Sequence, residues 1–202
     1  MDRMKETIRP LFTDVTWGAG GSTATLSMDI ALQLHNTGHV ANLHMTCTNM
    51  TNSTTDADAD SLLNPKQKIR AALQTAKDGG IRNIVALRGD PAAGQDEWTA
   101  AEGGFTCALD LVQFIRDEFE HDDFGISVAG YPEGHPNAIS LVDDPATMTP
   151  SEEARSSTCE GQTFTCRDED YQKEMDYLKK KVDAGAGECL FVCFPMCTCL
   201  CA

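Results

Sequence analysis

Four groups of residues in this chain have types and spacings that could do chemistry: Asp14 with Thr16, His44 with Thr46, Arg88-Gly89-Asp90, and Tyr131 with His135. Residues two apart in a strand share a face, so Asp14 and Thr16, His44 and Thr46, and Arg88 and Asp90 would each project together. The planar fork of Arg88 suits a phosphate, and Gly89 lets that phosphate sit against the backbone. Asp90 would bring a negative charge beside whatever is bound. Tyr131-Pro-Glu-Gly-His135-Pro puts a titratable imidazole four residues past a phenol, in a turn stiffened by two prolines. Gly18-Ala19-Gly20-Gly21 ahead of a helix can cradle a phosphate, although it lacks the full dinucleotide-binding spacing. Each feature alone has a plainer explanation: a satisfied core histidine, a packed tyrosine, threonines as good strand formers. Their coincidence at successive strand ends points to one ligand cleft.

The elements that would position these residues alternate. Strands are predicted over Leu11–Trp17, Val40–Cys47, Ile81–Arg88 and Phe124–Tyr131, and helices over Ala24–Asn36, from Pro65 to Gly79, over Phe105–Phe119 and over Asp170–Ala184. Asn83–Leu87 is an uninterrupted strand of the kind that helices cover on both faces. Residues 132–168 carry Pro, Ser, Thr and acids with little periodicity and are expected to form a long loop or insertion. Strand–helix alternation with right-handed crossovers means an α/β fold with a parallel sheet.

With 202 residues, 41% hydrophobic and 23% charged, the chain suits one globular α/β domain. A net charge of −15 repels nucleic acid and anionic lipid, which excludes both as main partners. No run approaches a membrane span, and Met1–Glu6 lacks a secretory signal's apolar core, so a cytoplasmic protein with reduced thiols is expected. Of nine cysteines, Cys189, Cys193, Cys197, Cys199 and Cys201 fall in the last 14 residues. Their spacing matches no paired zinc pattern, and no metal is expected.

Longer motifs carry a resemblance. Asp14-Val-Thr-Trp-Gly-Ala-Gly-Gly, His44-Met-Thr-Cys, Asn83-Ile-Val-Ala-Leu-Arg-Gly-Asp-Pro, Val128-Ala-Gly-Tyr-Pro-Glu-Gly-His-Pro and Leu178-Lys-Lys-Lys-Val-Asp-Ala-Gly-Ala resemble, in the right order, the methylenetetrahydrofolate reductase family. The resemblance covers about residues 1–186, and the 132–168 insertion is similar to the fungal type. It implies a (β/α)8 barrel holding FAD at the carboxyl ends of its strands, NAD(P)H as co-substrate, and reduction of 5,10-methylenetetrahydrofolate to 5-methyltetrahydrofolate, a folate reaction that supplies methionine synthesis. It further implies that Thr16, Trp17 and Ala19 line the flavin and nicotinamide face, and that His44 contacts the cofactor. Arg88 and Gly89 would take the FAD phosphate and ribose region, while Ala108, Tyr131, His135 and Lys181 complete the FAD contacts. Asp90 would lie by the flavin and the pterin as the catalytic residue, steadying a cationic iminium form of the folate. Cys107 and Glu174 depart from the family's usual Tyr and Asp.

The expected organisation is a partial barrel over 1–186 followed by an aberrant Cys-rich tail, 187–202, that forms no domain. The family's first-strand Glu, in a Phe-Glu-Phe-Phe-Pro-Pro context, has no counterpart here, nor does its Thr-Gln strand beyond Ala186. About four proper strands are expected, too few to close a barrel. Two readings therefore stand side by side: a flavin-dependent reductase, and a non-catalytic fragment that at most binds FAD or a full-length subunit. A generic phosphate-binding α/β protein is a distant third. A homo-oligomer and the choice between NADH and NADPH are left open by the sequence.

Overall fold

The computed structural model of the chain describes residues 7–17, 24–47, 63–91 and 97–191. In chain order the main elements are β1 (Thr13–Trp17), α1 (Ala24–Asn36), β2 (Ala41–Thr46), α2 (Pro65–Asp78), β3 (Asn83–Leu87), α3 (Ala108–Glu118) and β4 (Gly125–Gly130). They continue with β5 (Ile139–Val142), α4 (Pro150–Ala154), β6 (Ser157–Cys159), β7 (Gln162–Cys166), α5 (Asp168–Asp183) and β8 (Glu188–Phe191). The fold is α/β, with the strand–helix alternation of a partial (β/α)8 barrel.

The helices start and stop where their chemistry dictates. Asn64 caps α2 by accepting the amide of Gln67 at 2.9 Å, and the Gln67 side chain returns the bond to the Asn64 amide at 3.0 Å. Pro65 follows at the first helical position, where no amide hydrogen is needed. Ile69, Leu73 and Ala76 make its buried stripe, as Leu111, Val112 and Ile115 do for α3. Arg70 joins α2 to α3 by pairing with Glu118, Nε to carboxylate 2.9 Å, while its guanidinium lies over Phe114.

The chain divides into two compact units, one running to Val128 with Ala184–Glu188, the other Ala129–Asp183 continued from Cys189. In the first, β1, β2, β3 and β4 pair in parallel, and β8 follows β4 in the five-stranded order β1-β2-β3-β4-β8. Register sorts the side chains into rows. Val15, Leu43, Ile84 and Ile126 align, as do Trp17, Met45, Ala86 and Val128, giving one apolar face. The opposite face carries Asp14, Asn42, Asn83 and Gly125, then Thr16, His44, Val85 and Ser127. A sheet covered by helices on both sides would be apolar on both. The central strand is apolar on both faces, with Ile84 and Ala86 on one and buried Val85 and Leu87 on the other, where Asn83 alone is polar; the polar groups of that second face come mainly from its neighbours.

Two differences from the sequence reading concern the second half. Residues expected as a loop form a three-stranded antiparallel sheet, β5-β7-β6, between residues 139 and 166. Its strands are three to five residues long, too short to show a period. Its hairpin turns at Glu160-Gly161, both left-handed at φ 51° and 79°, as a two-residue turn with primed geometry requires. The second difference is β8. Glu188–Phe191, expected within a structureless tail, adds a fifth strand where four were expected, and Gly187 N–H donates to Ile126 O at 2.9 Å. Residues 192–202 lie outside the described residues.

Candidate functional site

In the first unit the candidate groups lie along one face of β1 and β2 and in the turn that follows β3. Asp14 and Asn42 are register partners, and so are Thr16 and His44. One carboxylate oxygen of Asp14 accepts Asn42 Nδ2 at 2.7 Å and faces His44 Nε2 at 2.9 Å. Asn42 is buried, whereas His44 is partly and Asp14 largely open. An amide thus holds a carboxylate, and the carboxylate holds an imidazole, on the polar face of the sheet. Thr16 is exposed on that same face. Trp17, one residue further, falls on the apolar face and is 4% exposed; Thr46 Oγ1 donates to its carbonyl at 3.4 Å.

Beyond β3 the chain turns at Gly89, whose φ of +89° is left-handed and favours glycine. Arg88 lays its guanidinium over Trp98, 5.3 Å from the ring centroid, and its Nε donates to Gly89 O at 3.4 Å. The Cys47 amide donates to Leu87 O at 3.2 Å and to Arg88 O at 3.0 Å, which pins the start of this turn to the end of β2. Arg88 and Asp90 are both exposed. Ala108 opens α3 and is buried. In the first turn of α3, Asp110 accepts the Thr106 amide at 2.8 Å and its hydroxyl at 2.5 Å. Burial raises the Asp110 pKa, but the bonds from Thr106 and Cys107 outweigh it and leave the carboxyl below its ordinary range. Ala19 lies outside the described residues.

The second unit holds the other expected site residues. Tyr131 and His135 meet edge to face, ring centroids 4.8 Å apart. His135 Nδ1 accepts the Asn137 amide at 3.2 Å, so in the neutral ring the proton sits on Nε2. Gly134 between them has φ +99°, and a Cβ there would come within 2.4 Å of Cys166 Cβ. Lys181 is a buried cation: its Nζ donates to Ala129 O at 2.7 Å and lies 4.8 Å from the Tyr177 ring centroid. This explains how an ammonium is kept inside, because a carbonyl and a π face replace part of its water.

Three participants were not singled out as site residues from the sequence: Asn42, Trp98 and Cys47. Asn42 is the i−2 neighbour of His44, and that spacing could have marked it. Trp98 sits ten residues past Arg88, and no local signal links them. Among the described residues no group of three His, Cys, Asp or Glu side chains is arranged to hold a metal ion. No described helix is long and apolar enough to cross a membrane.

Fold and strand ends together define the class: a parallel α/β sheet with polar and titratable side chains on one face and in the turns after its strands. The model of the family described as methylenetetrahydrofolate reductase matches residues 1–192. A methylenetetrahydrofolate reductase (NADH) of Arabidopsis thaliana is 46% identical over 187 residues, 92% of this chain and 25% of that protein. Methylenetetrahydrofolate reductase 1 of Schizosaccharomyces pombe is 38% identical over 92% of this chain and 23% of its own length. The 5,10-methylenetetrahydrofolate reductase of Salmonella typhimurium is 30% identical over 94% of this chain and 46% of its own. The chain belongs to the methylenetetrahydrofolate reductase family. It spans about a quarter of the length of the plant and fission-yeast relatives it matches.

Proposed function

We propose that this chain carries the flavin-binding part of a catalytic core that reduces 5,10-methylenetetrahydrofolate to 5-methyltetrahydrofolate in the cytoplasm, with FAD as cofactor and NAD(P)H as co-substrate. The observation that carries the reading is the turn Arg88-Gly89-Asp90 just past the end of β3, with its left-handed glycine, in a chain of this family. The donor set suits a flavin dinucleotide. An exposed guanidinium next to a left-handed glycine offers a charge and a bare backbone to a diphosphate. Thr16 and His44 offer hydrogen bonds to a polar ring edge.

When bound, FAD would supply the hydride relay between nicotinamide and folate. The chain's own residues do the rest. Arg88 and Gly89 hold the phosphates, and Trp98 keeps the guanidinium flat. Asp14 orients His44 beside Thr16. The Asp90 carboxylate stabilises positive charge on the folate, an effect strongest where water is excluded. Ala108 leaves room at the start of α3, and Tyr131, His135 and Lys181 are assigned to FAD by the family motifs they belong to. Cofactor preference stays between the two nicotinamides, since relatives are named for NADH in Arabidopsis thaliana and for NADPH in Caenorhabditis elegans.

A second reading is favoured by the share of its relatives' length that the chain spans, about a quarter. On that reading it binds FAD, or associates with a full-length subunit, without turnover. Titrating the purified chain with FAD and following flavin fluorescence and visible absorption tests both. Saturable binding that Arg88→Ala weakens supports the flavin site, and NAD(P)H-dependent turnover then separates reductase from binding fragment. Absence of flavin binding would overturn the first reading and the FAD-binding form of the second; association with a full-length subunit is checked by co-sedimentation with the intact protein.

A further inference from the structure

We propose that Cys47 and Cys107 are a covalent modification site: a thiol pair that hydrogen peroxide converts to an intramolecular disulfide between the end of β2 and the start of α3. Cys47 follows β2 directly, and Cys107 is the N-cap of α3. The Cys47 thiol reaches Leu87 O at 3.3 Å and Cys107 O at 3.8 Å, so the backbone of one cysteine touches the sulfur of the other. Cys107 makes no side-chain capping bond to α3. Its thiol instead donates to Asp110. To meet Cys47 the Cys107 thiol has to leave Asp110 and turn toward it.

The two sulfurs are chemically unequal. Burial, then the neighbouring Cys107 and Asp110, push the Cys47 thiol up to about 12, so it is not the sulfur that oxidant attacks first. Cys107 is partly open, which gives peroxide access to its sulfur. In the first step Cys107 sulfur attacks peroxide, the O–O bond breaks, and the thiol proton passes to the departing hydroxide as water. This leaves a sulfenic acid on Cys107. In the second step Cys47 sulfur attacks Cys107 sulfur, the S–O bond breaks, and the Cys47 proton leaves with the hydroxyl as a second water. Two thiols and one peroxide become one disulfide and two waters. The bond withdraws Cys47 sulfur from Leu87 O, at the residue before Arg88, so the modification acts on the turn that carries the phosphate-binding groups.

The test is peroxide treatment of the full folded chain, acid quenching, alkylation of remaining thiols, digestion and mass mapping. The expected product is a peptide joining Cys47 to Cys107, lost on reduction with dithiothreitol. The same treatment in urea should cut the yield of that link, because unfolding removes the contact that holds the two cysteines together and leaves the other thiols to compete for each. In Cys107→Ser, where serine can cap α3 and preserve the fold, Cys47 should stay reduced. The proposal is overturned if Cys107 accumulates as sulfenic or sulfinic acid with Cys47 still reduced, or if either cysteine links mainly to Cys159, Cys166 or the 189–201 cysteines.

Discussion

Asp14 does two jobs with one oxygen, and that makes it sensitive to substitution. It satisfies the buried Asn42 amide and restrains His44. Removing one partner of a buried hydrogen bond costs the desolvation of the group left behind, about 1–3 kcal/mol. Asp14→Ala should therefore lower the unfolding free energy read from urea titration by that amount, and Asp14→Ala combined with Asn42→Ala should lose less than the sum of the two single changes. Additive losses would show that the two residues do not share a bond. Arg88 calls for a different readout. Arg88→Lys keeps the charge but loses the fork and the flat stack on Trp98, so FAD affinity should fall by roughly tenfold with little change in stability. An unchanged titration curve would remove Arg88 from the flavin site.

At the level of elements, the junctions carry the risk. Gly134 joins β4's end to the antiparallel sheet with a left-handed backbone pressed on Cys166. Gly134→Ala meets both a disfavoured φ and a Cβ contact of 2.4 Å with Cys166. A loss of about 2 kcal/mol or more, read as faster amide exchange in β5 and β7, is the expected outcome. Wild-type exchange rates there would mean the turn relaxes freely. Charged groups hold the same end of that sheet: Arg155 donates to Cys166 O at 2.8 Å and pairs with Asp168, its guanidinium covers Tyr171, and buried Glu152 accepts the Asp168 amide at 3.0 Å.

Those bonds give the whole molecule a pH dependence with a definite sign. Hydrogen bonding from the Asp168 amide holds Glu152 below its ordinary 4.5, and Arg155 holds Asp168 below 3.8. The bond from Lys77 lowers Asp123, and the donors around Asp110 lower it too. A carboxyl depressed in the folded state adds stability above its unfolded pKa, and that stability disappears as pH falls through the folded value. Urea midpoints should be level from about pH 7 to about pH 5 and fall below about pH 4. In Asp168→Asn the fall should be shallower; an identical acid limb would show that this pair is silent. Association is the second whole-molecule property. β1 and β8 end the five-stranded sheet, and Ile8, Leu11, Phe12 and Val40 expose apolar side chains near the start of β1 and β2. Concentration-dependent association by sedimentation, reduced in Leu11→Lys, is expected of such an edge; a monomer at all concentrations would argue that this surface is benign.

Much of this was legible in the chain itself, because helix signals are local. Asn64-Pro65, the stripe Ile69–Leu73–Ala76 and the closing Gly79-Gly80 delimit α2 without help from the rest of the molecule, and α1 was likewise placed at Ala24–Asn36. Four parallel strands and the pairing of Asp14 with Thr16 and of His44 with Thr46 follow from a period of two, which is also local. The family motifs extended that reading to a barrel. Tertiary structure alone decided what depends on partners distant in sequence. Register put Asn42 against Asp14 across 28 residues, and packing set Trp98 under Arg88 and Cys47 against Cys107. The hairpin from Ser157 to Cys166 and the strand Glu188–Phe191 are too short to announce themselves by pattern, and exist because a neighbouring strand supplies hydrogen bonds. Period is a property of a segment, whereas register, burial and polar pairing belong to the pair of segments that meet.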